Sequence, residues 1–278
     1  MIAAVIGGGT MGAGIAHVLL VAGWRVYLAE ATPERCTAGW AGVRASLAKA
    51  EERGKLPANT DGDEIFSRFS TVGSIAELPS DTELVIEAVP ESIDLKRKVL
   101  GEAANACLQA VLASNTSSLP ITELAEGLPG ERLLGMHFFN PVPVQQLVEL
   151  VHHSGVTPEV VAKVRGWAEA LGKTVIEVRD SPGFATSRLG VAVGMEAIRM
   201  LAEGVASAED IDTGMRLGYG WPMGPLKLTD LVGLDVRLAI AEHLAAELGP
   251  RFEPPALLRD KVARGELGRK SGRGFFDW

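Results

Sequence analysis

The sequence predicts an α/β first part, built on a mostly parallel sheet, followed by an all-helical (all-α) second part. Two observations carry that prediction. Up to residue 180, short apolar β-prone runs alternate with longer helical patterns, the arrangement that β-α-β units produce. Beyond Asp180-Ser-Pro-Gly183, a turn or helix-start cluster, the chain reads as helix broken by glycine and proline. The expected domains are therefore 1–180 and 181–278.

Taken in order, strands are expected at Ala3–Ile6, Arg25–Ala29, Leu84–Glu87, Ala110–Ala113, Leu133–Met136 and Val148–Val151. Thr174–Arg179 adds another, because four of its six residues are β-branched. The longest helix is expected over Thr32–Lys55, with Pro33 in its first turn, where a missing N–H does no harm. In the second part, helices over Phe184–Glu203, Ala208–Leu217 and Leu226–Leu248 stop before Gly204, Gly218 and Gly249. Val191, Val193, Met195 and Ile198 make the first of these apolar on more than one face, which points to packing against the first domain and a partner subunit, and so to a homodimer.

Composition narrows the function classes. With 278 residues, 47% hydrophobic and 22% charged, the chain is globular and neither disordered nor fibrous. Two cysteines, Cys36 and Cys107, do not make a disulfide scaffold. The formal charge of −8 removes any general attraction to nucleic acid or anionic membrane, so an anionic ligand needs a locally positive pocket. The first residues lack the basic start of a signal peptide, and no apolar run reaches the roughly 18 residues that span a bilayer. A cytoplasmic protein is expected. No cluster of His, Cys and Asp has ligand spacing, so no metal is expected.

The strongest local signal is Gly7-Gly-Gly9-Thr10-Met11-Gly12, a G-x-G-x-x-G run between the first strand and the helical stretch Ile15–Val21. In that context Gly7 permits the tight turn, Gly9 lets backbone approach a pyrophosphate, and Gly12 allows close helix–strand packing. This is the fingerprint of a Rossmann-type dinucleotide-binding domain. Glu30 ends the second strand, 18 residues past Gly12, where an acid accepts hydrogen bonds from the adenosine ribose. A carboxylate there repels a 2′-phosphate, which favours NAD as the cofactor.

At the reacting end, His137 is expected just after an apolar strand, where ligands of such sheets bind, and Glu149 at the close of the next. An imidazole paired with a carboxylate is oriented as an acid–base group. Ser114-Asn115-Thr116-Ser117-Ser118 follows another strand, offering hydroxyls and backbone N–H groups to a ligand or simply capping a helix.

Six segments together carry a family resemblance: Leu84-Val-Ile-Glu-Ala-Val-Pro-Glu-Ser92, Ala113-Ser-Asn-Thr-Ser-Ser118, Gly135-Met-His-Phe-Phe-Asn-Pro-Val-Pro143, Leu147-Val-Glu-Leu150, Pro222-Met-Gly-Pro225 and Leu267-Gly-Arg-Lys-Ser-Gly-Arg-Gly-Phe275. Over essentially its whole length the chain resembles the L-3-hydroxyacyl-CoA dehydrogenases, including bacterial 3-hydroxybutyryl-CoA dehydrogenases. The resemblance implies that His137 and Glu149 form the catalytic dyad, that Ser117 contacts the reacting oxygen, and that Asn140 lies beside the substrate. It further implies that Glu91, Lys96 and Asn115 contact the cofactor, and that the CoA of an acyl-CoA substrate lies near the long helix. There Lys49, Arg53 and Lys55 are candidates for its phosphates. One departure stands out: after Pro182-Gly-Phe the family has an asparagine where this chain has Ser187, a shorter side chain for holding substrate. Two other readings stay open on the residues: an oxidoreductase of free hydroxy acids or diketo esters, as among L-gulonate dehydrogenases and diketoreductases, and a catalytically idle NAD-binding protein.

Overall fold

The computed structural model describes residues 1–58 and 60–278. It forms two compact units, Met1–Asp180 and Ser181–Trp278.

The first unit is built in the order β1 (Ile2–Ile6), α1 (Thr10–Val21), β2 (Arg25–Ala29), α2 (Pro33–Glu52), α3 (Gly62–Phe66), β3 (Phe69–Val72), β4 (Leu84–Glu87), α4 (Ile93–Ala106), β5 (Val111–Ser114), α5 (Ile121–Leu124), β6 (Leu133–Phe138), β7 (Leu147–His152), α6 (Pro158–Ala170) and β8 (Thr174–Arg179). The strands make one sheet in the order β3-β2-β1-β4-β5-β6-β7-β8. The first six follow the doubly wound dinucleotide-binding order, with two strands added at one edge. Every pairing is parallel except β6 with β7. Because β1, β2, β4, β5 and β6 run together, the segments after them share one edge of the sheet. The central strands β1, β4 and β5 are almost wholly apolar and buried on both faces, as helices on each side require. The core beneath them holds Ile15, Leu19, Leu20, Leu28, Leu47, Ile86 and Met136, with Trp24 edge-on to Trp167 at 5.5 Å.

Three departures from the expected elements have local causes. Strand β3 is an unforeseen edge strand, short and partly polar (Phe69-Ser-Thr-Val72), and alternation over four residues gives little signal. Strand β6 runs on to Phe138, so His137 lies inside it and not after it; β7 starts at Leu147, so Glu149 is third of six residues and not the last. In both cases antiparallel pairing extends the ladder past the most apolar positions. The long helix ends at Glu52, which puts Arg53 at its cap and Lys55 beyond it, after Gly54 at φ +61°.

The second unit is helical: α7 (Thr186–Ala202), α8 (Ala208–Gly218), α9 (Pro225–Val232), α10 (Leu234–Leu248) and α11 (Ala256–Ala263). The helix expected over Leu226–Leu248 is two helices, broken at Gly233, whose φ of +106° no helix accommodates. Val191, Met195 and Ile198 are fully buried on one face of α7 and pack in this unit's core. Asp230 ties the C-terminal tail down, accepting from the backbone N–H of Phe275 and Phe276 and from Trp278 Nε1.

Candidate active site

At the sheet edge, the glycine-rich turn has the shape that the fingerprint requires. Gly7 adopts φ +98°, and a Cβ there would stand 2.9 Å from the Ala88 carbonyl oxygen. A Cβ on Gly12 would overlap the Gly7 carbonyl oxygen, while one on Gly9 would meet no protein atom within 4 Å. The turn is packed hard on the protein side and open on the other. Thr10 and Met11 begin α1, whose N-cap is Gly9 with no capping side chain, so its first N–H groups are available to an anion. Glu30 Oε1 accepts from Gly8 N at 2.5 Å, placing the predicted acid against this turn. An open glycine cradle, an uncapped helix N-terminus and an acid at the end of β2 suit a dinucleotide.

Along the same edge, His137 and Glu149 face each other as directly opposed residues of β6 and β7. Opposed residues of an antiparallel pair project their side chains to the same face, which explains the spacing of 12 in sequence. His137 Nδ1 and Glu149 Oε2 are 2.7 Å apart, with His137 6% exposed and Glu149 fully buried. The Phe139 ring lies 4.4 Å from the imidazole, centroid to centroid. Asn115 holds the neighbouring backbone: its Oδ1 accepts from Phe138 N at 2.9 Å. Asn140 follows β6 and is exposed.

Glu91 gathers the segment after β5. Its Oε1 accepts from Thr116 Oγ1 at 2.6 Å and from the N–H groups of Ser117 and Ser118 at 3.1 and 3.2 Å, with Ser117 Oγ at 3.5 Å. Lys96, also a sequence candidate, is 1% exposed, and its Nζ lies 3.3 Å from Glu91 and 2.9 Å from both oxygens of Glu87. Burial acts to raise the Glu91 carboxyl, but Lys96 and these donors hold it below its ordinary range. Glu87 goes the other way: full burial raises it despite Lys96 and the Ser114 hydroxyl that donates to it.

Two domain descriptions tile the chain: "3-hydroxyacyl-CoA dehydrogenase, NAD binding domain" matches residues 2–181, and "3-hydroxyacyl-CoA dehydrogenase, C-terminal domain" matches residues 183–278. The chain belongs to the 3-hydroxyacyl-CoA dehydrogenase family. A probable 3-hydroxybutyryl-CoA dehydrogenase of Bacillus subtilis is 42% identical, over 99% of this chain and 96% of that protein. The mitochondrial hydroxyacyl-coenzyme A dehydrogenase of Sus scrofa is 38% identical, over 99% and 90%. Among solved structures, (S)-3-hydroxybutyryl-CoA dehydrogenase from Ralstonia eutropha superposes with a TM-score of 0.94 at 40% identity, covering 100% of this chain and 98% of that one. As a family member the chain is an NAD-dependent dehydrogenase.

Beside the dehydrogenase cradle lies a cavity of about 890 Å³ between α1, α2 and the 140–144 segment. Lys49, Arg53 and Lys55 line it together with Asn140, so the three basic residues meet in one cavity although only Lys49 is within the helix. His17 also lines it, hydrogen-bonded through Nδ1 to Ser46 Oγ at 2.9 Å. Burial, aided by Lys173, lowers the imidazole of His17 to about 4, so it is neutral near pH 7. Ser187 is half-buried near the start of α7 in the second unit.

Sequence reasoning missed two residues. Lys173, buried at the foot of β8, donates to the carbonyls of Val142 and Gln145 at 2.6 and 2.8 Å, clamping the segment that carries Asn140. Glu87 is the other, and its signal was legible: a carboxylate at the end of an all-apolar central strand needs a buried partner. Among the described residues no helix is long and apolar enough to cross a membrane.

Proposed function

We propose that this chain interconverts L-3-hydroxyacyl-CoA and 3-oxoacyl-CoA thioesters, 3-hydroxybutyryl-CoA among them. NAD, held by Gly7–Gly12, Glu30, Glu91, Lys96 and Asn115, supplies the hydride acceptor for the C3 hydrogen. The single observation that carries this reading is the buried His137–Glu149 pair on the sheet edge that bears the glycine cradle. With Nδ1 held by Glu149, Nε2 is the ring nitrogen that takes the C3 hydroxyl proton in oxidation and returns it in reduction. Glu149 stabilises the imidazolium so formed and fixes the tautomer. Ser117 and Asn140 position the C3 oxygen and the thioester carbonyl. Lys49, Arg53 and Lys55 bind the CoA phosphates through charge-assisted contacts.

The same reading assigns substrate binding and homodimerisation to residues 181–278. Support for a dimer comes from Val205, Leu217 and Tyr219, which are 60–78% exposed, beside an apolar groove lined by Val193, Met200 and Met215. A cytoplasmic location follows from the expected NAD(H) and acyl-CoA supply.

The deciding experiment is the loss of NADH absorbance with acetoacetyl-CoA, beside free acetoacetate and with NADPH in parallel. Turnover confined to the CoA ester and NADH supports the proposal. Turnover of the free acid, or NADH binding with no turnover, overturns it.

A further inference from the structure

The cavity between α1, α2 and the 140–144 segment has one wall that is neither strand nor helix. Between β6 and β7 the chain makes a bare turn, in which the N–H groups of Val144 and Gln145 both donate to the Pro141 carbonyl at 2.9 and 3.0 Å. Pro141 and Pro143 have no N–H to give. Lys173 Nζ takes up the Val142 and Gln145 carbonyls at 2.6 and 2.8 Å, and the next backbone bond, Thr174 N to Gln146 O at 2.7 Å, joins the same stretch to the start of β8. On its other side the wall rests on α1. Val142 is 2% exposed, and a Cβ built on Gly14 would stand 2.9 Å from Val142 Cβ, so helix and turn meet at a distance that only glycine allows.

Lys173 is 8% exposed, and among the described residues no carboxylate pairs with it; burial lowers its ammonium. An ammonium buried on two carbonyls keeps its net charge, which is costly unless an anion comes near. That charge is felt at the cavity: burial is the larger cause of the lowered His17 imidazole, and Lys173 adds to it. Although the chain carries a formal charge of −8, among the described residues no Asp or Glu lines this cavity, whereas Lys49, Arg53 and Lys55 do.

We propose that Lys173 is a positioning and specificity-determining residue: it holds the 142–144 wall against α1 and sets a buried positive charge beside it, and so selects thioesters by the long anionic carrier of the acyl group. This rests on the reading of the cavity as the CoA site. Because it is buried, Lys173 escapes the salt screening that weakens exposed cations.

The test compares acetoacetyl-CoA with acetoacetyl-N-acetylcysteamine, which has the same reacting end and thioester but lacks the phosphates and most of the carrier arm. The wild type should favour the CoA ester. In Lys173→Met, kcat/KM for the CoA ester should fall about tenfold or more while that for the truncated ester changes by less than about twofold, because only the first fills the cavity. NADH binding followed by fluorescence should stay near the wild-type level, and Lys173→Arg, which keeps the charge and donors, should lie between. Gly14→Ala pushes Val142 from the α1 side with Lys173 intact and suits a helix better than glycine. It should show the same selective loss, and it carries the test if Lys173→Met does not fold. Equal losses for the two esters would overturn the proposal, since a residue needed only for the fold lowers both. Unchanged ratios in both variants would overturn it too. Turnover of both esters by the wild type without preference sinks this inference alone, and absence of turnover with either sinks the dehydrogenase reading and this inference with it.

Discussion

Two buried pairs of titratable side chains stand at the same edge of the sheet, and they differ in what their geometry leaves open. Lys96 spends its ammonium on both oxygens of Glu87, on the Val89 carbonyl and on Glu91. Glu87 in turn accepts from Val89 N and from Ser114 Oγ. Each polar atom there is saturated within the protein, so the pair fixes the β4 and β5 ends and the serine-rich segment on which a ligand would lie. The His137–Glu149 pair is equally buried, but an imidazole has nitrogens on two sides of its ring and only Nδ1 faces the carboxylate. Burial thus makes a scaffold of one pair, while the other has the geometry of the acid–base group we propose. What differs is whether a titratable atom points beyond the pair.

That contrast predicts opposite phenotypes, and the largest effect belongs to His137. His137→Gln should lower kcat by about 10²–10⁴, the usual worth of a positioned acid–base group, while NADH binding followed by fluorescence stays near the wild-type level. Retained turnover would remove His137 from its role. Glu149→Gln should move kcat in the same direction by less, since the imidazole remains but loses the charge that stabilises its protonated form.

Lys96→Met should do the reverse and strike the fold first. It strands the Glu87 carboxylate in the interior, and breaking a buried pair costs about 3–5 kcal/mol, readable in urea denaturation. The double change Glu87→Gln with Lys96→Met should recover most of that. The pH dependence has a definite sign. Burial raises Glu87 above its unfolded value, so the folded state binds the proton more tightly, and stability falls as pH rises through the window between the two values. Without Lys96 the upward shift is larger, so the deficit of the single variant should widen from mildly acidic pH towards neutrality. A deficit independent of pH would show that Glu87 is not its source.

Much of this edge was readable from residue order. The glycine run, the acid at the end of β2 and the alternation of elements are local signals, and local signals determine parallel β-α-β units. The His137–Glu149 contact was legible only as a spacing of 12, because its cause, the antiparallel register of β6 and β7, is a pairing between strands that no single segment encodes. For the same reason both residues fall inside their strands, not at the ends where apolar periodicity stops. Lys96 looked like a helix-surface charge until α4 docked it on Glu87. Lys173 gave no local sign at all, since a lone cation in sequence carries no mark of the carbonyls that it will meet.

A smaller effect should appear at the cofactor end, where Glu30 accepts from the turn and is proposed to accept from the ribose as well. Glu30→Gln keeps an acceptor for Gly8 N but removes the charge, so the turn should persist while discrimination against NADPH falls by about tenfold. Unchanged discrimination would place the selection elsewhere on the edge.

The smallest effect should come from the cavity wall. Lys49 and Arg53 are exposed, and exposed charges contribute little individually because water and salt screen them. Lys49→Ala with Arg53→Ala should therefore raise KM for a CoA ester by only about two- to fivefold and leave kcat near its original value. The informative axis is ionic strength. If these side chains meet the CoA phosphates, added salt should raise KM in the wild type more steeply than in the double variant, and the two curves should converge. The buried His137–Glu149 pair would then set the rate with little response to salt, and the basic wall of the cavity would set affinity through contacts that salt erases. Parallel salt curves would instead leave the two cations as solvated surface charges and assign CoA recognition to the apolar and backbone groups of the cavity.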